Sequence, residues 1–491
     1  MRRIVLAVLL LAAGSVRAQE NRAQPPPAPP KVDPSGEVDK LKESCGAFKI
    51  VPCAEELFTG KPVHIAVGSI APQNGFGAGL AYLGHKTTDN WRIGWNSDAI
   101  GSINGSWRAG FYLKFVDTHQ KPIGGGFGTK GKKKPRVLSE LPEHPVLNLY
   151  VQAISLNKLT YFGLGPATTL AGRTFYGMTQ TIVGGSAVKP FYERLHASLY
   201  GEINGRFVNI RPSTGQPSPT IATLYSEATA PGLTSQPGTL QLGEGIRIRP
   251  VYFDDFLRLN YSLAYQQFFT PGNSTFSFQR LTADLYHEFA LYKKTTRNLL
   301  PRDNNPNGPD DCSLPTDPSH PECPAITRDR EGSVGLRFYL ATSMTPGGDV
   351  VPFYFQPTLG GVDINGNPSL SSYQDFRFRA PNVTFFRQSL EHSIWGPLGF
   401  SIMAEEGKVG LKRGDLGSNP WIHSFASGLT LRAGGFPQVF LLFAWGGNEG
   451  THTIASVNTS LLGGSARPSL VLARTSRQDP IQSIQNLIPM R

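Results

Sequence analysis

Residues 104–117 read NGSWRAGFYLKFVD, and the order of greasy and charged side chains there narrows the fold more than anything else in the 491-residue chain. On an α-helix, Trp107, Phe111, Leu113 and Phe115 would scatter around the axis with Arg108 and Lys114 among them. On a β-strand, successive side chains point to opposite faces. Trp107, Ala109, Phe111, Leu113 and Phe115 then share one face, and Arg108, Gly110, Tyr112 and Lys114 share the other. Such a ribbon separates oil from water. The rest of the chain decides whether the oil is a protein core or a lipid bilayer.

The same period recurs along the chain. In 91–97, Trp91, Ile93 and Trp95 oppose Arg92, Gly94 and Asn96. In 257–266, Leu257, Leu259, Tyr261, Leu263 and Tyr265 oppose Arg258, Asn260, Ser262 and Gln266. Residues 240–249, 333–341, 398–405 and 425–432 alternate likewise, with Glu244 breaking the apolar row of the first. Further stretches near 75–83, 146–162, 172–182, 191–200, 275–291, 352–358, 373–380, 438–445 and 451–461 bring the total to about sixteen strands between 61 and 462. A soluble sandwich turns its apolar faces inward and rarely needs so many strands in one domain. A transmembrane barrel uses strands of about 9–11 residues, apolar out and polar in, with aromatics at both interfaces. Trp91, Trp395, Trp421 and Trp445 stand near strand ends, as such girdles require. Closure also satisfies every backbone group in lipid. The prediction is an all-β fold, a single transmembrane antiparallel β-barrel of about sixteen strands, with long loops at 117–145, 205–238 and 293–330.

The N-terminus agrees with export. MRRIVLAVLLLAAGSVRAQ has a basic start (Arg2, Arg3), an apolar run over 4–13, and Val16 and Ala18 at the positions a signal peptidase reads, so 1–18 is a signal peptide. Residues 19–60 are a Pro-rich linker and a short Cys-containing segment, and 463–491 form a C-terminal tail beyond the barrel. The four cysteines fall as two local pairs, Cys45 with Cys53 and Cys312 with Cys323, the cheapest disulfide pairing in an oxidising compartment. Zinc is the rival reading, but neither pair has a zinc site's close ligand spacing. A formal charge of +11 with only 17% charged residues gives no dense basic surface, so no nucleic-acid partner is expected. The basic run 128–136 is either a solvated loop tip or a contact for anionic lipid. No GxSxG, HExxH, GxxxxGK[ST] or CxxC is present, so the expectation is a non-enzymatic protein without cofactor or metal.

Several segments resemble the bacterial surface antigen barrel, the membrane domain of BamA- and TamA-type outer-membrane assembly proteins. TYFGLGPATTLAGRTFYG (160–177), EATAPGLTSQPGTLQLGEGIRIRP (227–250), YFQPTLGGVDINGNPSLSSYQDFRFRAPN (354–382), FSIMAEEGKVG (400–410) and SGLTLRAGGFPQVFLLFAWGGNEGTHTIASVNTSL (427–461) carry the resemblance. It implies an outer-membrane location, lipid as the surrounding partner and a role in outer-membrane biogenesis or transport. It also implies a loop that folds inward, whose Arg-Gly before an aromatic pairs with an Asp on a lumen-facing strand. Here Leu370-Ser371-Ser372-Tyr373 has Ser in place of both Arg and Gly, and the acid is Glu405 in the frame Met403-x-Glu405-x-Gly407. Glu405 therefore needs another cation, for which Arg377, Arg379 and Arg432 are the candidates. The expected latch is Leu370, Tyr373, Arg377, Arg379, Glu405, Gly407 and Arg432. The family carries periplasmic POTRA domains ahead of its barrel, and 19–60 is too short for one, so a periplasmic partner supplying the receptor function is expected.

The inferred lumen is rich in cations: Arg108, Lys114, Arg247, Arg249, Arg258, Arg280, Arg337, Arg377, Arg379 and Arg432, against Asp284 and Glu405. Internal salt bridges are one reading. An anion-preferring diffusion pore is the other. A structural surface barrel without transport is a third possibility for the whole chain.

Overall fold

The computed structural model describes residues 63–117, 144–213, 219–253, 256–299, 325–395, 398–433, 436–447 and 449–457. The stretch 1–18 expected to be a signal peptide, the segment 19–60 with Cys45 and Cys53, the basic run 128–136, Cys312, Cys323 and the stretch 463–491 lie outside the described residues. The alternating stretches form β1 (Val63–Ser69), β2 (Phe76–Thr87), β3 (Trp91–Ser102), β4 (Trp107–Asp117), β5 (Val146–Tyr161), β6 (Thr174–Tyr192), β7 (Ala197–Pro212) and β8 (Thr239–Ile248). After the two-residue β9 (Val251–Tyr252) come β10 (Leu257–Phe269), β11 (Phe278–Leu299), β12 (Ala325–Met344), and the short β13 (Thr358–Leu359) and β14 (Phe378–Arg379). The series ends with β15 (Asn382–Trp395), β16 (Leu398–Gly410), β17 (Ile422–Ala433), β18 (Phe436–Gly447) and β19 (Gly450–Val457).

One sheet of 17 strands holds all of these but β13 and β14, which pair only with each other. With β9 set aside as a fragment beside β10, the remaining strands succeed one another as an antiparallel meander. The long residue-by-residue ladder of β11 on β12 is typical, running from Gln279↔Met344 to Leu299↔Ala325. The chain was expected to close on itself. Among the described residues, β1 is registered on β2 and β19 on β18, and no register joins β1 to β19.

The meander nonetheless curls. The segment 351–381, between β12 and β15, is packed from every side by the inner faces of strands far apart in the meander. Val351, Phe353, Phe355 and Phe376 share a cluster with Ala66 of β1, Ala81 of β2, Leu159 of β5, Tyr176 of β6 and Phe278 of β11. Leu359, Leu370, Tyr373 and Phe378 share another with Ala341 of β12, Val383 and Phe385 of β15 and Val409 of β16. A sheet can surround one segment in this way only by rolling into a cylinder with the segment inside. We call 351–381 the plug.

The two faces divide as the sequence predicts. Large apolar side chains point away from the plug and stand exposed: Leu80 is 61% exposed, Phe111 42%, Ile203 54% and Leu441 54%. Asp98, Asn204, Gln241, Asn260, Asp284 and Glu405 point the other way and are buried. A soluble β-protein would show the reverse.

The strand count agrees with expectation through two compensating differences. The stretches 352–358 and 373–380 are not wall strands; they belong to the plug, where only a short helical turn (Phe353–Phe355) and β13–β14 are regular. In their stead β1 and β15 join the wall. The inner row of β1 is His64, Ala66 and Gly68, where a single polar side chain is too little to read as a polar face. In β15, Phe385 and Phe386 are adjacent, and the inner one, Phe385, is buried against the plug. Where the plug covers the wall, the inner face turns apolar and alternation disappears. The loop expected over 293–330 is also shorter, because β11 runs on to Leu299 and β12 begins at Ala325.

Phe385 therefore tests the plugged cylinder. Phe385→Ala should destabilise the folded protein by about 3–5 kcal/mol, the usual cost of emptying a buried aromatic site. Denaturant unfolding in detergent micelles would measure it.

Candidate functional site

The plug is built to hold its own shape before it meets the wall. β13 and β14 clamp its base through Thr358↔Arg379 and Leu359↔Phe378. Within it, Asp363 accepts hydrogen bonds from the backbone N–H of Asn365 (2.9 Å) and Asn367 (2.8 Å). Asp375 Oδ1 accepts from Val362 N (2.8 Å), and Ser369 Oγ accepts from Gly360 N (3.2 Å). The reversals need positive φ at Gly360 (100°) and Gly366 (85°). Leu370 adopts φ 44°, a strained value for a side chain with a Cβ, and is completely buried.

That strained residue delivers the next one to the wall. Ser371 N donates to Glu405 Oε2 at 2.5 Å, and Ser372 N donates to Ser424 Oγ at 2.8 Å. Glu405 is buried on β16. Its other oxygen, Oε1, accepts from Arg387 Nε (2.8 Å) and Nη2 (2.5 Å), and Arg387 Nη2 also donates to Pro368 O of the plug (2.6 Å). The carboxylate thus joins a wall guanidinium to a plug backbone amide. Gly407, two residues on, leaves space for this approach. A Cβ there would stand 2.8 Å from Leu359 Cδ1 and 3.2 Å from Leu370 Cδ1.

The cation on Glu405 is thus Arg387, and not Arg377, Arg379 or Arg432 as expected. Arg387 lies directly opposite Glu405 in the β15–β16 register, and directly opposed side chains on one face meet most easily. Arg377 instead forms an ion pair with Glu449, in the turn between β18 and β19, and donates from Nη1 to Thr168 Oγ1 (2.7 Å) and from Nη2 to Thr168 O (2.6 Å). It also lies 4.6 Å from the Phe378 ring centre. Arg379 donates to Phe353 O (2.6 Å) and faces Tyr161 and Phe353, whose rings meet edge to face at 5.3 Å. Tyr373 packs edge to face on Phe378 at 5.0 Å. Arg432 falls on β17 opposite Pro437, and its side chain lies outside the described part. Leu370, Tyr373, Glu405 and Gly407 therefore meet at one contact, with Arg377 and Arg379 in two others.

Much of the lumen's charge is paired across neighbouring strands. Arg108 meets Asp98 at 2.8 Å, Arg337 grips both oxygens of Asp284 at 2.9 and 2.8 Å, and Arg258 meets Glu288 at 3.5 Å. Asp98, Glu288 and Glu449 are acids that the alternation pattern alone did not single out. Arg280 is held by a hydroxyl and by rings: it donates to Ser343 Oγ (3.2 Å) and lies 5.1 Å from the Phe278 centre. Among the described residues, no group of three His, Cys, Asp or Glu is placed to hold a metal ion.

No protein-family model and no curated protein sequence matches this chain. Among solved structures it is similar to CdiB from Acinetobacter baumannii, at 12% identity and a TM-score of 0.39, over 80% of this chain and 57% of that one. It is similar to BamA from Haemophilus ducreyi lacking POTRA domains 1–3, at 11% identity and a TM-score of 0.41, over 81% and 68%. It is also similar to CdiB from Escherichia coli, at 12% identity and a TM-score of 0.42, over 78% and 58%. The chain thus spans less than two thirds of either CdiB.

Two expectations follow from the plug contacts. Glu405→Ala strands the Arg387 charge and should cost about 3–5 kcal/mol, while Glu405→Ala with Arg387→Met should recover most of it. Equal losses in the single and double variants would mean that the ion pair does not hold the plug; denaturant titration distinguishes them. Asp375 is the second case. Burial holds its carboxyl above the ordinary range, against the opposing pull of the Val362 and Gln73 hydrogen bonds and of His452. The folded state therefore binds this proton more tightly than the unfolded state, and stability falls as pH rises from the ordinary carboxyl range through the raised value. Asp375→Asn should accordingly be more stable than the parent near neutral pH, with the gap closing on acidification, as thermal melts across pH would show.

Proposed function

We propose that the protein is an integral outer-membrane β-barrel of the surface-antigen type, non-enzymatic, acting in outer-membrane biogenesis or transport. A periplasmic partner supplies the receptor function, and the lipids of the outer membrane are the surrounding medium. The observation that carries the reading is the inverted sheet: Leu80, Phe111, Ile203 and Leu441 face outward while Asp98, Asp284 and Glu405 face inward. Water gives no reason to expose such rows on strand after strand. A bilayer does, provided that the backbone polar groups are bonded within the sheet.

The surface-antigen reading draws on the plug as well. A loop between β12 and β15 folds inside, and an acid on the next strand, β16, holds it. The placement agrees with the motif resemblance even though Ser371 supplies a backbone N–H where the family pattern has an Arg side chain. Paired charges and an occupied interior speak against a permanently open anion pore. Arg108, Arg258, Arg337 and Arg377 each carry an acidic partner, so fewer free cations remain to select anions.

Leu263→Arg tests the membrane reading, since Leu263 is exposed on β10. A charge on the lipid face near mid-membrane costs about 2–4 kcal/mol, whereas the same change on a wet surface is nearly neutral. Unchanged stability in lipid vesicles, with the parent protein recovered in the aqueous phase without detergent, would rule the barrel out. For the role, depletion from cells should lower the amount of other outer-membrane barrels. A large, steady, anion-selective conductance from the purified protein in planar bilayers would favour the pore instead.

A further inference from the structure

One outward-facing row carries a charge at its middle. On β8 the outward residues are Leu240, Leu242, Glu244, Ile246 and Ile248, since Thr239 and Gln241 point inward and are buried. Glu244 is exposed, with two apolar residues on each side of it along the row. In the register it stands opposite Gly201 of β7 on one flank and Tyr265 of β10 on the other. Leu199, Ile203 and Leu263, all exposed, are its diagonal neighbours. On β6, Lys189 is exposed in the outward row between Ala187 and Phe191. Lys189 lies opposite Leu199, and Ala187 opposite Gly201. The base is thus two strands and one outward position from the acid, with β7 between them. Strand spacing alone separates the two by about 9–10 Å across the sheet, too far for a contact. Among the described residues, neither Lys189 nor Glu244 has an ion pair or a hydrogen bond.

We propose that the outer face of β6, β7 and β8 docks a second copy of the chain within the membrane, with Glu244 of each copy set against Lys189 of the other. The docking presupposes the membrane location proposed above, since in water both charges would be solvated. In hydrocarbon a lone carboxylate and a lone ammonium are both costly, and such groups are found paired. The wall offers neither of them a partner, and acyl chains have none to give. A face with an acid and a base on either side of one strand is complementary to itself. A two-fold axis along the membrane normal, passing over β7, brings acid to base twice, as an isologous interface does. Gly201 stands at its centre, and the missing side chain there lets two walls approach. A foreign partner would have to bring both charges in the matching order. A second copy already has them.

Charge swapping tests the docking, read by sedimentation equilibrium of the full chain in density-matched detergent micelles. The parent should dimerise. Glu244→Lys and Lys189→Glu should each raise the dimer dissociation constant about tenfold or more, because each sets like charges together. Mixing the two single variants in equal amounts should give a mixed dimer as tight as the parent's, since every contact then sets one acid against one base. A monomeric parent, or swaps that leave the dissociation constant unchanged, would overturn the proposal. So would a mixture that stays monomeric although each variant is folded. Should either swap fail to fold, Glu244→Gln and Lys189→Met take its place; each should weaken the parent dimer, and an unchanged dimer overturns the docking equally. The membrane reading fails by a different result, recovery of the parent in the aqueous phase without detergent. A parent folded in micelles but monomeric sinks the dimer alone.

Discussion

A sheet that turns its large apolar side chains outward must then find partners for everything left inside. In the bilayer we propose for it, lipid would offer no hydrogen bonds, so the backbone must be satisfied by neighbouring strands. The interior row, freed from any duty to be greasy, fills with Asp98, Asp284, Glu288, Glu405 and the arginines paired with them. Each such charge costs desolvation, and the register decides whether that cost is met. Asp284 and Arg337 occupy neighbouring strands on one face, two positions apart along the ladder, and grip each other with two bonds. The wall is thus stitched laterally twice, by amides along the backbone and by ions along the lumen.

The plug converts this wall into a filled cylinder. It brings its own apolar side chains, Phe353, Phe355, Leu370 and Phe376, into a space otherwise lined by polar groups. Small inner residues such as Ala66, Ala81 and Ala341 make room for it, and Phe385 and Val383 meet it with apolar surface. The interior therefore has two regimes: a paired polar lining, and an aromatic and aliphatic core where the plug rests.

This division explains what could be read from sequence. Where a strand turns an exposed apolar row one way and a polar row the other, as in β4 or β10, period-two alternation is plain and the prediction holds. Where it sees the plug, as at Phe385 and Phe386 of β15, an apolar residue stands on each side and the signal vanishes. The plug produces the opposite error: Phe376, Arg377, Phe378 and Arg379 alternate like a strand because the phenylalanines enter clusters while the arginines reach for Glu449 and Phe353 O. The partner of Glu405 was hidden for the same reason. Arg387 sits on the strand whose alternation is broken, so its place opposite Glu405 cannot be read from the pattern. The acid itself was legible, since a glutamate in the inward row must be answered by something.

What answers it from the plug is an amide that every amino acid except proline possesses. A contact made through an arginine side chain ties recognition to one residue type; one made through the main chain ties it to the shape of the loop. Position 371 is consequently under no demand for a hydrogen-bonding side chain, only for one small enough for its buried place, as long as Leu370 keeps its left-handed turn and Glu405 keeps its place. Among small residues the contact point tolerates exchange, whereas the residues that bend the chain toward it do not.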